Sequence, residues 1–147
     1  MALRIGAQGL NVAERLYLAI MGLALAATGL FALVSPDTMA ASLGIAALGV
    51  VGDIEIRAVY GGLTLGWGLL LLLGLRVRVL ALSGLAFTAI GGGCLLLTRF
   101  ITALTFGASG FSGVVTTLIL IEVGMVGLAY VLLRHAIRTG DLPEVIQ

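Results

Sequence analysis

This sequence has little charge. Only 10% of its 147 residues are charged, and all eight basic residues are arginine, with no lysine at all. With 61% hydrophobic residues and a mean hydropathy of +1.22, the chain has too little polar surface to wrap a soluble core. That excludes a water-soluble globular domain. A net charge of +1 without a basic patch excludes nucleic acid as a partner. The single cysteine, Cys94, cannot form an internal disulfide; in its apolar run it reads as a small packed hydrophobe. The single histidine, His135, follows Arg134 at a helix end and has no second His or Cys beside it, so no metal site is expected. No CxxC, HExxH, GxSxG or phosphate-loop pattern occurs, and no strand precedes the glycines. No cofactor is therefore expected, and no reaction is named.

What the chain does have is long apolar runs. A helix needs about 20 apolar residues to cross a hydrocarbon layer roughly 30 Å thick, so this length allows about four crossings. The expected fold is all-α: a polytopic membrane protein, one domain over 1–147, with four transmembrane helices in a bundle at 16–34, 54–75, 79–98 and 113–133. Met1 to Ala13 forms an arm with Arg4 and scattered Leu3, Ile5, Leu10 and Val12, expected at the membrane surface. Asn11 with Glu14 three residues on reads as a helix start with reciprocal capping. The first apolar run exceeds a signal-peptide core and lacks a clean small-residue cleavage site, so it reads as a retained helix. Ser35-Pro36-Asp37 stops that helix and begins a short interfacial or re-entrant one over Asp37 to Leu48. Gly49 to Gly52 is expected to break it, with Asp53 capping the second crossing. Arg76-Val77-Arg78 is a tight turn, and the third helix runs past Gly91-Gly92-Gly93 to about Thr98, or on to Phe106. Gly107 to Gly110 is a loop, and Arg134 to Gln147 a polar tail containing Pro143.

Four crossings put Arg4, Arg15, Arg76, Arg78, Arg134 and Arg138 on one side, leaving Arg57 and Arg99 on the other. The positive-inside rule then places both termini in the cytoplasm. Arg57 and Arg99 on the opposite side call for another reason, and charge pairing supplies one.

The candidate site gathers the polar residues that hydrocarbon makes expensive: Glu55, Arg57, Tyr60, Trp67, Arg99 and Glu122. Glu122 stands in an unbroken apolar run, where a carboxylate costs at least a few kcal/mol unless neutral or paired. Three readings stay open for it: an ion-pair clamp, a ligand- or proton-handling group, or exposure to a wet crevice. At 1.5 Å per residue from the cytoplasmic ends, Glu122 sits roughly 16 Å up its helix and Arg57 and Arg99 roughly 27–30 Å up theirs. That offset favours Glu55 with Arg57 or Arg99 as the local cluster, Glu122 lying deeper. Arg57, Tyr60, Gly61, Thr64 and Gly68 share a helical face, and Ala58, Gly62 and Gly66 form a small-residue packing stripe beside it. Tyr60 reads as an aromatic-belt residue or a ligand contact, and Trp67, deeper, as wanting an interior acceptor.

The Pro36 turn, the run Glu55-x-Arg57-x-x-Tyr60-Gly61-Gly62, Arg99 late in the third helix and Glu122 in the fourth resemble small bacterial four-helix membrane proteins of unknown function allied to the DoxX-like group. The resemblance covers most of the chain, its most specific part being the Glu-x-Arg-x-x-Tyr-Gly-Gly segment. It implies that Glu55, Arg57, Arg99 and Glu122 are a buried polar set. DoxX-like relatives include subunits of quinone-linked sulfur oxidation, and more distant four-helix proteins act as assembly factors or bind hydrophobic ligands. The lack of a cysteine pair or haem ligands argues against an independent oxidoreductase. The expected function is a non-enzymatic membrane subunit, oligomeric or part of a larger membrane complex. Alternatives are a binder or carrier of a lipid, quinone or other hydrophobic small molecule, and a small proton or ion channel. Membrane lipid is a partner under all three.

Overall fold

The computed structural model describes residues 9–46 and 48–139. These are mostly helical, with no strand among them. Four helices are long and apolar enough to cross a membrane: α1 (Val12–Val34), α3 (Gly49–Gly74), α4 (Arg78–Thr105) and α5 (Gly113–Arg138). A short helix, α2 (Pro36–Ser42), lies between the first two. Contacts divide the chain into two compact units, Met1–Ala81 and Leu82–Gln147. A single bundle over 1–147 stays an expectation. Two other expectations, the arm with Arg4 and the tail with Pro143, fall on or extend into 1–8 and 140–147, outside the described residues.

The first unit begins as its sequence dictates. The Asn11 side chain accepts from the Glu14 N–H at 2.8 Å, and the Glu14 carboxylate accepts from the Asn11 N–H at 3.0 Å, satisfying two amides that the first turn leaves unpaired. At the other end Pro36 occupies the first turn of α2, although Ser35 makes no side-chain cap. α2 stops after two turns. Ile45 N–H returns to the Ala40 carbonyl and Gly44 N–H to Ala41, a closure that needs a left-handed residue, and Gly44 supplies it at φ +71°. The short helix is thus half the length anticipated for Asp37 to Leu48.

The start of α3 differs from the sequence reading. Gly49 to Gly52 does not break the chain; it forms the first turn of α3, Gly49 turning the backbone in at φ +63°. Asp53 therefore lies inside a helix, where it pairs with Arg57 one turn on instead of capping. From Ile56 to Leu63 the helix widens to π geometry before returning to α.

α1 and α3 run antiparallel on a seam of small residues. Gly22 abuts Gly68 and Leu72, Ala26 abuts Gly68, and Gly29 abuts Gly61 and Leu65. A Cβ on Gly29 would stand 2.5 Å from the Leu65 backbone nitrogen, so only glycine lets the chains approach this far. The seam falls on the face that carries Arg57, Gly61, Thr64 and Gly68. Ala58, Gly62 and Gly66, expected to pack a helix, are exposed instead, and a Cβ on Gly66 would meet nothing within 4 Å. They lie on the side of α3 turned away from α1.

In the second unit α4 and α5 run antiparallel, with Gly93 beside Val126. α4 continues through Arg99 to Thr105 and is π-helical over Thr88–Gly92, a stretch that takes in the first two glycines of the Gly91–Gly93 run. Buried Thr88 returns its hydroxyl to the Gly84 carbonyl at 2.8 Å. A single 3₁₀ turn, Gly107–Gly110, leads to α5, capped by the Ser112 side chain. Phe100 and Phe111 meet edge to face across this connection, ring centroids 6.1 Å apart. Cys94 is exposed, not packed as its apolar setting suggested.

The seam makes a direct prediction. Gly29→Ala should lower the melting temperature in detergent by several degrees, about 1–3 kcal/mol of overpacking, while Gly66→Ala should leave it unchanged. Equal melting of the two variants would mean that α1 and α3 do not touch there.

Candidate functional site

The polar residues of the first unit resolve into two joints. At one, Arg57 donates from Nε to Asp53 at 3.0 Å and from Nη1 to the Leu33 carbonyl. That carbonyl belongs to the last turn of α1, where no further helical amide can reach it, so the guanidinium works as a cap on the negative end of the helix. Gly61 leaves room for the same residue's side chain: a Cβ there would come within 2.6 Å of Leu33 Cδ2. Tyr60 packs on the buried cluster of Ala32, Met39, Ala40 and Ile56 that fills the α1–α2 corner. Arg57, Tyr60 and Gly61 therefore tie three helices at one corner. Glu55 is exposed and bonds neither Arg57 nor any other described residue. Trp67 is half-buried on α3, two turns further along.

The second joint was not anticipated. Glu14, 1% exposed, accepts from Arg78 Nη1 at 3.0 Å through Oε2, the oxygen that also takes the Asn11 amide. One carboxylate thus caps α1 and anchors the first residue of α4. The signal was present in outline: Glu14 and Arg78 both stand at helix ends expected on the same membrane side, and a capping box by itself accounts for only part of a carboxylate's acceptor capacity.

The second unit holds the deeper pair. Arg99 grips Glu122 with Nε 3.1 Å from each carboxylate oxygen and Nη2 2.9 Å from Oε1. The glutamate is 6% exposed and the arginine side chain 28%. The offset in height that argued against this contact came from ending the fourth helix at Leu133, where the apolar run stops. α5 continues to Arg138, with His135 and Arg138 in a last turn whose partial negative charge favours cations. Those extra residues lift Glu122 by roughly 7 Å at 1.5 Å per residue, which closes about half of the gap. Arg99 is thereby committed to Glu122, and Arg57 to Asp53 and Leu33.

Chemically, the deep pair is a fork on a carboxylate, with charge-assisted bonds to both oxygens. Such an arrangement fixes two helices against each other and engages both oxygens of Glu122. Glu14, Thr88 and Glu122 are the buried polar side chains among the described residues, and each has a partner.

Among the described residues, four helices long and apolar enough to cross a membrane, with their buried charges paired internally, suggest a membrane location. Residues 13–133 match the family described as Domain of unknown function (DUF4345), and the chain belongs to that family. No curated protein and no solved structure matches it. The match spans both buried ion pairs and the Arg57 joint, and gives no support to a link with the DoxX-like group.

If the fork is the main tie between α4 and α5, removing one partner costs more than removing both. Arg99→Leu should destabilise by about 3 kcal/mol, because it strands a buried carboxylate, and Arg99→Leu with Glu122→Leu should recover most of that loss. Thermal unfolding of the three variants in detergent measures the difference, and additive losses would disprove the coupling.

Proposed function

We propose that this is a non-enzymatic membrane protein that works as an oligomeric or accessory subunit, its buried Glu–Arg pairs holding helices in place and taking no part in chemistry. The observation that carries the reading is the doubly bonded carboxylate of Glu122. A carrier or channel would need this group to exchange partners with a ligand or proton, and the Arg99 fork occupies both of its oxygens. Large apolar side chains turned outward on every long helix, such as Leu23 and Phe31 on α1 and Leu120 and Val131 on α5, suit lipid or the helices of other subunits. The reading includes a bacterial inner membrane with both termini in the cytoplasm, and the alliance with the DoxX-like group that the Glu55 to Gly62 run suggests.

Native mass spectrometry of the full chain released from detergent tests it. The expected result is a defined complex of two or more subunits, unchanged in copy number by Glu122→Gln although that variant melts lower. A monomer carrying one stoichiometric hydrophobic molecule, lost in Glu122→Gln without a change in melting, would replace this reading with a binder or carrier.

A further inference from the structure

The C-terminal end of α5 carries a charged face that the pairs described above do not use. Tyr130, Arg134 and Arg138 follow one another at intervals of four residues, and Leu133 and Ile137 form the neighbouring row; together they line a shallow groove along the helix. Both arginines are exposed, and neither they nor the Tyr130 hydroxyl has a hydrogen-bond or ion-pair partner among the described residues.

From this geometry we infer a binding site for the phosphate headgroup of an anionic phospholipid. The position fits. Leu133 ends the apolar run, so Arg134 stands at the boundary of the hydrocarbon and Arg138 about 6 Å beyond it, which matches the roughly 5–7 Å depth of a headgroup layer. Two guanidiniums one turn apart can share one phosphodiester, each offering planar paired donors. Tyr130, a turn deeper and so below that boundary, adds the flank of its ring to the surface offered to an acyl chain. Leu133 and Ile137 flank the arginines with apolar surface for the upper part of an acyl chain. The helix end opposes an anion through its partial charge of about −0.5, which two full positive charges exceed. A zwitterionic lipid presents the same phosphate with its own cation beside it, so the site distinguishes lipids by net charge.

The test uses the full chain in mild detergent, titrated in parallel with dioleoylphosphatidylglycerol and dioleoylphosphatidylcholine, with bound lipid counted by native mass spectrometry. At about a few-fold to tenfold per arginine, the wild type should prefer the anionic lipid by tenfold or more, and the preference should weaken as salt is raised. Arg134→Gln with Arg138→Gln should bring the two lipids within about twofold while melting without lipid stays as in the wild type. Should that variant fail to fold, the salt response of the wild type decides: a preference that salt does not weaken overturns the proposal. So does equal binding of both lipids, or a preference that survives in a folded double variant. A preference that emerges only in Asp141→Asn with Glu144→Gln also overturns it, assigning the arginines to the chain's own tail.

Discussion

Hydrocarbon does not solvate a carboxylate, and that constraint organises this protein. Two glutamates are buried, Glu14 near the start of α1 and Glu122 within α5, and each meets an arginine from a helix in its own unit. The desolvation cost of an ion runs to several kcal/mol, so neither glutamate can stay where it is without the other helix in register. The pair thus converts a penalty into a positional constraint: α5 cannot slide or rotate on α4 by a turn without stranding a charge. Because both charges lie inside one chain, a correct fold is the only arrangement that removes them from lipid together.

Close backbone approach makes such short contacts reachable. On α1 and α3, Gly22, Gly29, Gly61 and Gly68 let the helices meet backbone to backbone, so Arg57 of one can reach the Leu33 carbonyl of the other. The Arg57 joint illustrates the link between sequence and packing. One guanidinium closes the end of α1, the glycine four residues later seats the same leucine's side chain, and the tyrosine between them fills the corner under α2. Arg57, Gly61 and Tyr60 thus fasten the α1–α2 corner.

Much of the fold was legible in the sequence because bilayer thickness and the cost of charge leave few solutions. The four apolar runs, the Asn11–Glu14 start and the Pro36 corner all follow from local rules that lipid enforces. Boundaries were less legible. Asp53 carries the signature of a cap, yet Gly49 to Gly52 is helical because a helix in lipid gains nothing by ending early, and the free backbone groups would have no water. The π stretch over Ile56–Leu63 has no sequence signal of its own. Helix ends also decided the site: α5 runs on through Arg134 because arginines at a C-terminus are favourable, and stopping it at the last apolar residue misplaced Glu122 relative to Arg99. The exposed Glu55, and an α1–α3 seam on the Gly61–Gly68 row and not on the neighbouring Ala58–Gly62–Gly66 stripe, show the limit of spacing arguments, which reveal that residues share a face but not which face a given neighbour selects.

The central claim is that the Arg99–Glu122 attraction, and not the shape of either side chain, fixes α4 on α5. Exchanging the two charges tests it most directly: Arg99→Glu, Glu122→Arg and the double exchange, each melted in lipid nanodiscs. The account predicts that each single variant, with like charges facing in the bilayer, melts far below the wild type, and that the double exchange regains most of the loss. A double variant no more stable than the worse single one would contradict it.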